Sequence, residues 1–437
     1  MIATAIRSIL VVALAVGMAP GCDRAPVRPR MRADTGAAQA AAETTTAVVA
    51  VRAERSPAPP VPWTTAMQEV ADGANRFAIA LHRARAGDAG DRFCSPFSLH
   101  AALAMTKAGA RGATEDELRA ALHLPAADGL AAAGDLARFY GARSGAYQLA
   151  VASALWGQAD IAWNPAFVTL LDERFGAGFR PADFAADPYG QRSRINAAVA
   201  ADTGGRIAQL VPDGAVTALT RLCLTNAITF KGSWATTFDA AATSPQPFHR
   251  ADGSSVPLPL MHRDGRESHF QGDGFQVLAL PYEGDDIEMV VLLPATADGL
   301  AALEAELDAD RLARWRAEAE SVEVSIRLPR FRLRDRLSAE RVLRGLGVGK
   351  LFEFGTADLT GMTPTERLAV GAVLHEAFVE VDEEGTVAAA ATVVITNAPG
   401  PPPPRRVEFR ADRPFVFLIR DVHHGTILFL GRYTGQG

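Results

Sequence analysis

The residues whose chemistry stands out in this sequence lie in one run, Asp382 to Arg406, and the chemistry they suit is a rearrangement of backbone pairing. Asp382-Glu383-Glu384-Gly385-Thr386 leads into Val387 and four alanines, Ala388 to Ala391. Thr392-Val393-Val394-Ile395-Thr396-Asn397-Ala398 follows, then Pro399-Gly400, four prolines and Arg405-Arg406. Val393, Val394 and Ile395 favour a strand, whereas the prolines force unpaired, extended backbone just after them. Small side chains at Ala388 to Ala391 would let a backbone slide between two strands, and Gly385 supplies a permissive bend at the start. Two readings stand side by side: a surface loop with a proline spacer, or a strand-competent segment held metastably outside a sheet.

Side chains arranged for catalysis are missing from the sequence. It contains no Gly-x-Ser-x-Gly elbow, no His-Glu-x-x-His and no phosphate loop. His375-Glu376 lacks the second histidine. Gly345-Leu346-Gly347-Val348-Gly349 lacks dinucleotide spacing and reads as a turn between helix and strand. His423-His424 reads as part of a hairpin turn. Cys94 and Cys223 sit in apolar contexts and read as small buried hydrophobes, since two isolated cysteines make neither a disulfide framework nor a metal site. No metal or cofactor is expected.

The elements that must position the run are a helical first part and a strand-rich second part. Ala66–Arg83 and Ser95–Ala108 have helical spacing, the second opened by Ser-Pro. Thr114-Glu115-Asp116-Glu117 reads as a capping box before Leu118. Strands are expected at Leu149–Trp156, Leu222–Phe230, Val277–Leu280, Glu288–Leu293, Val322–Leu328, Ala372–Val381, Phe415–Ile419 and Thr426–Leu430, with Phe409 in a further one. That order is α+β. The 437 residues are 48% apolar with a net charge of −6 and both signs interspersed, so a large core is available and nucleic acid is not an expected partner.

The first residues read as an export signal over 1–21, with one arginine, an apolar run and small residues. The run is short of the ~20 apolar residues that a membrane span needs. Cys22, directly after Ala19-Pro20-Gly21, is similar to a bacterial lipobox cysteine and would tether the chain to a membrane, the alternative being plain cleavage and secretion. Residues 23–62 read as a disordered linker and 63–437 as the folded body, placed outside the cell or in the cell envelope.

Several motifs together resemble the serpin family. Glu383 to Thr392 is similar, almost residue by residue, to the hinge of inhibitory serpins. Phe409-Arg410-Ala411-Asp412-Arg413-Pro414-Phe415 resembles the C-terminal signature, and Asn226 to Trp234 the motif at the top of the main sheet, with Phe238 and Thr243 at the family's spacing. Ser95-Pro96-Phe97-Ser98, Leu328-Pro329-Arg330-Phe331 and Gly361-Met362 also fit, and the likeness runs from Trp63 to Tyr433.

The resemblance implies an α+β serpin fold with three β-sheets, about nine helices and an exposed reactive-centre loop, here 383–408. It implies a monomeric inhibitor, not an enzyme, that a serine protease attacks as substrate. The cleaved loop then joins the main sheet as a strand and traps the acyl-enzyme, serpin loop insertion being a standard instance of strand addition and of released strain. It assigns Glu383, Gly385, Thr386, Ala388, Ala389, Ala390, Ala391 and Thr392 to the hinge. Trp234 falls at the top of the sheet, where the loop enters, or is simply a buried tryptophan. Ser95, Ser98, Asn226 and His375 fall in a polar cluster beneath the sheet, or His375 is a satisfied core histidine.

With Gly385 as hinge, Thr386, Ala388, Ala390, Thr392, Val394 and Thr396 share one face, all small or β-branched. Proline cannot donate to a central ladder, so the insertable part stops near Ala398. The family's hinge-to-bond distance lands in the same place, and the scissile bond is expected within Asn397, Ala398, Pro399 and Gly400. The loop is longer than usual for the family, and Arg405 and Arg406 offer trypsin-like enzymes a rival site where cutting would leave prolines to insert. Small residues at the window favour elastase-like or subtilisin-like proteases. The competing readings are a non-inhibitory binding or carrier member of the fold, and an enzyme.

Overall fold

A computed structural model describes residues 61–142, 147–176, 178–386 and 406–436. Residues 1–60, with the expected signal, Cys22 and nearly all of the linker, lie outside the described residues, as do Val387 to Arg405 of the loop.

The chain opens with α1 (Thr65–Ala84), whose Thr64 hydroxyl caps the Met67 amide. β1 (Arg92–Cys94) leads to α2 (Pro96–Gly109), capped by Ser95, then α3 (Gly112–Ala121) and α4 (Gly129–Ala142). β2 (Tyr147–Gln158), α5 (Pro165–Phe175), β3 (Phe179–Ala182) and α6 (Pro188–Asp202) follow. The strand-rich part begins with β4 (Leu222–Ser233), β5 (Asp239–His249), β6 (Ser255–Gln271), β7 (Phe275–Pro281) and β8 (Ile287–Pro294). Two short helices, α7 (Leu300–Glu306) and α8 (Ala309–Glu318), precede β9 (Glu320–Pro329) and β10 (Phe331–Ser338). Then come α9 (Glu340–Gly345), β11 (Ala372–Val381), β12 (Gly385–Thr386), β13 (Val407–Arg410), β14 (Phe415–Asp421) and β15 (Ile427–Tyr433).

The described residues hold nine α-helices and two hydrogen-bonded sheets. The first sheet runs β10-β11-β4-β2-β3, with β12 added on β4. The second runs β1-β15-β14-β8-β7-β6-β9-β13, with β5 on β6. The 17-residue β6 explains why two sheets stand where three are counted by resemblance. Its first half pairs with β5 and its last residues with β7, while β9 follows it along most of its length. One strand therefore serves two sheets and joins them into one network. α2 is buried nearly all round because it lies between β4 and β15, one strand from each sheet.

Most expected strands are a few residues longer in the fold, β15 starts one residue later than expected, β11 has the expected bounds, and β3, β5, β6 and β10 were not expected. His423-His424 sits in the turn between β14 and β15, and both Cys94 and Cys223 are free and buried. Burial pushes their thiols up, to about 11 and about 12. Two local expectations fail. The 114–117 capping box does not open a helix, because α3 already starts at Gly112 and its N-cap Arg111 makes no side-chain cap. Thr114 is instead buried and accepts from the Asp358 amide, and Glu117 accepts from the amides of Gly349 and Lys350. The glycine run after α9 does make a turn, with Gly347 at φ +89, but it leads to a 3-10 turn at Lys350–Phe352 rather than a strand.

Candidate functional site

The first sheet has a seam. β11 and β4 run parallel and pair from Ala372 with Cys223 to Phe378 with Thr229. Beyond that level their pairing stops, although β4 continues to Ser233 and β11 to Val381. β12 occupies the top of the opening, antiparallel to β4, with Gly385 opposite Ser233 and Thr386 opposite Gly232. The chain enters this position by a tight reversal in which the Asp382 amide donates to the Gly385 carbonyl at 2.9 Å.

Each residue of the reversal is held. The Trp234 amide donates to the Glu384 carbonyl at 2.9 Å, and the Phe238 amide to the Glu383 carbonyl at 2.8 Å. The indole of Trp234 donates to the Asp382 carbonyl at 2.9 Å and stacks on Tyr282, with ring centroids 4.5 Å apart. Gly385 is at φ +133, and a Cβ there would meet the Gly232 carbonyl oxygen at 2.4 Å and the Ser233 Cα at 2.6 Å. Only glycine fits that backbone conformation and that approach. Burial pushes the Glu383 carboxyl up, but hydrogen bonds from Arg330 and Thr243 outweigh it and hold the group below the ordinary glutamate range. Arg330 grips both carboxylate oxygens, and the Thr243 hydroxyl donates at 2.6 Å.

Lower in the seam, Ser95, Ser98, Asn226 and His375 come together as one fully buried network beneath the sheet. The Ser95 amide donates to His375 Nε2 at 3.0 Å, so that nitrogen carries no proton. His375 Nδ1 therefore carries it and donates to Asn226 Oδ1 at 2.6 Å, across the seam between β11 and β4. Ser98 Oγ donates to the same oxygen at 2.8 Å, and Asn226 Nδ2 donates to Ser153 Oγ at 2.6 Å. Burial pushes the imidazole down to about 4, which leaves it neutral near pH 7. Nothing in this arrangement activates a nucleophile; it is a hydrogen-bonded clasp on two strands.

Arg330, Tyr282 and Ser153 complete the site, and the sequence alone assigns them no role in it. The arginines at every second position from Arg330 to Arg336, followed by Glu376, Glu380 and Glu383, were the visible sign that two neighbouring strands carry matching charges. Hinge residues Ala388 to Thr392 and the window Asn397 to Gly400 lie outside the described residues. Arg406 is described, and its guanidinium is paired with Asp264 at 2.5 Å.

A family model described as Serpin (serine protease inhibitor) matches residues 72–435. The chain belongs to the serpin family. Mouse antithrombin-III is 35% identical to it over 380 residues, covering 83% of this chain and 81% of that protein. Bovine leukocyte elastase inhibitor is 36% identical over 378 residues, covering 84% of this chain and all of that protein. Among solved structures, Serpin48 of the insect Tenebrio molitor superposes with a TM-score of 0.75 at 26% identity, covering 85% of this chain and 99% of that one. Uncleaved ovalbumin has the same TM-score and shares the fold at 24% identity. This serpin is a serine protease inhibitor and not an enzyme, and its fold is the α+β serpin fold.

Proposed function

We propose that this serpin traps an elastase-like or subtilisin-like serine protease by drawing the cleaved loop down the seam between β4 and β11. The observation that carries the reading is the register of β12. Each step along the loop from Gly385 moves one step back along β4 from Ser233. Extended in that register, Ala388 faces Phe230, Ala390 faces Ile228, Thr392 faces Asn226, Val394 faces Leu224 and Thr396 faces Leu222, where β4 begins. Those β4 residues are buried and turned to the main core. The small and β-branched loop residues therefore fall on the core side. No charge would be buried there, which would otherwise cost several kcal/mol.

The strand partner ends with Thr396, and this supports a scissile bond within Asn397 to Gly400. Cutting after Arg405 or Arg406 would add prolines beyond the end of β4, and the Arg406 side chain is already engaged by Asp264. Thr392 arrives at the level of the His375–Asn226 bond, where its hydroxyl replaces the contact that the parting strands give up. Glu383, Gly385 and Thr386 start the movement, and Trp234 marks its entrance.

The test is incubation with elastase-, subtilisin- and trypsin-like proteases, followed by denaturing gels and mass spectrometry of the released C-terminal peptide. A denaturation-resistant complex whose peptide begins within 398–400 is expected. A trapped complex cut after Arg405 or Arg406 would refute the proline argument. The reading of the chain as a bacterial, exported protein, with residues 63–437 carried behind a linker and Cys22 lipidated, rests on the first residues alone. Mass spectrometry of the mature N-terminus from membrane fractions tests it.

A further inference from the structure

Glu376 is a charged residue with no exposure at all, and it takes no part in the polar network of His375 because it faces the other side of the sheet. Its partners come from β10, where alternation puts Arg332, Arg334 and Arg336 on that outer face and Phe331, Leu333 and Leu337 in the core. Arg334 Nη1 donates to Glu376 Oε1 at 3.2 Å, and Arg336 Nε donates to Oε2 at 2.9 Å. Both guanidiniums then reach further. Arg334 Nη2 donates to the Arg206 carbonyl at 2.7 Å, and Arg336 Nη2 donates to the Gln209 carbonyl.

Those two carbonyls belong to the connection between α6 and β4, which crosses the outer face of the seam. Its Ile207, Leu210, Val211 and Val216 pack in one buried cluster with Cys223 and Ala227 of β4 and Ala372 and Leu374 of β11. On its other side it is tied to α6, where the Val211 amide donates to Asn196 Oδ1 at 2.8 Å and Asn196 Nδ2 returns a bond to the Val211 carbonyl at 3.0 Å. The connection is therefore a strap over both strands that must part. A strand entering in the register of β12 reaches the level of Cys223 only by passing beneath it.

We propose that Glu376, Arg334 and Arg336 form a latch that holds this strap against the sheet, and that its release limits the rate of loop insertion. The three are positioning residues for the inhibitory reaction, and the proposal rests on that reading. The latch also rivets β10 to β11, so the sheet parts at the β11–β4 seam and the first pair moves as a unit. Arginine suits the position because one planar fork serves a carboxylate and a carbonyl together, which a lysine ammonium at the end of a single stem cannot do in the same geometry.

The test compares the wild type with Arg334→Lys/Arg336→Lys and with Glu376→Gln. The lysine pair keeps positive charge beside the buried carboxylate and replaces side chains that are 49% and 40% exposed, so the fold is retained if Glu376→Gln proves too disruptive. Two quantities are read: hydrogen exchange across residues 206–216, and the rate at which the denaturation-resistant complex forms after mixing with excess elastase-like protease, followed by quenched-flow and denaturing gels. Faster exchange in 206–216 is expected, together with insertion faster by roughly tenfold, the scale set by losing about one charge-assisted hydrogen bond per opening event. The stoichiometry of inhibition should fall toward one inhibitor per protease, an effect that general loosening of the fold would not produce. Unchanged exchange would show that the latch does not hold the strap. Faster exchange with an unchanged insertion rate would show that the strap is not on the route. Both results overturn the proposal. Absence of a trapped complex in the wild type refutes the inhibitory reading itself and the insertion half of the latch with it, while exchange still decides whether these residues hold the strap.

Discussion

Acid will loosen the seam through one imidazole, and His375→Gln will remove that part of the acid sensitivity. In the fold His375 sits near 4, held neutral by burial, against 6.5 for an exposed histidine. Its folded value is depressed, so the unfolded chain binds the extra proton first. The stabilisation is complete above about pH 6.5 and is lost as pH falls toward 4. The difference between 6.5 and about 4 corresponds to roughly 3 kcal/mol, and about 2 kcal/mol of it is gone at pH 5. Burial is the main cause, and the geometry agrees with it: Nε2 accepts the Ser95 amide, so a proton on Nε2 would set two N–H groups against each other. His100 is equally buried and also near 4, so it adds a similar slope and the comparison must be made between proteins. Urea unfolding between pH 7.5 and 4.5 supplies the assay. At pH 5 the slope of stability against pH should be smaller in His375→Gln by about 1 kcal/mol per pH unit, the effect of nearly one proton. Nitrogen-15 spectra of the ring should show the Nδ1–H tautomer at neutral pH. Parallel slopes in the two proteins, or a ring that titrates near 6.5, would refute the reasoning.

Other outcomes follow from the same seam. Thr386→Arg should turn inhibitor into substrate, because a charge would have to enter the sheet at the first step after Gly385; a trapped complex in that variant would rule out insertion. Loop cleavage in the unmodified protein should raise the melting temperature markedly, since the uncut fold is a kinetic trap above the inserted state, and an unchanged melt would count against inhibition. Gly385→Ala should expel β12 from β4, as the φ of +133 alone costs about 1–3 kcal/mol and the new Cβ meets backbone that cannot yield. Faster amide exchange at Trp234 and Thr386 would register the loss, and unaltered protection would contradict it. Glu383→Gln should lower stability by about 1–2 kcal/mol, a figure reduced because Arg330 is half exposed. A double-mutant cycle with Arg330→Ala checks that the loss belongs to this pair, and additive effects would show that it does not.

The apolar-rich composition of Ala372–Val381 was enough to place β11 residue for residue, because a strand buried on both faces draws mainly on Val, Leu, Ala and Phe even where His375, Glu376 and Glu380 interrupt the run. Helix limits were legible where a cap stood in sequence, at Ser95 above all. The 114–117 box misled because its polar side chains are spent on contacts far along the chain, with Asp358 and with Gly349 and Lys350. Local pattern cannot distinguish a cap from a long-range acceptor when both need the same residue types.

Ser95, Ser98, Asn226, His375 and Trp234 could be singled out only by their resemblance to family motifs, since the bonds that join the four polar residues exist only in the fold. Where the seam lies was a tertiary matter. β4 and β11 are separated by well over a hundred residues of chain, and only their parallel pairing, broken above Thr229, makes a slot with Gly385 at its mouth. The strap and its latch were hidden for the same reason. Arg334, Arg336 and Glu376 look like ordinary surface charges in sequence, and burial of a carboxylate beneath a distant connection exists only once the sheet is assembled and covered.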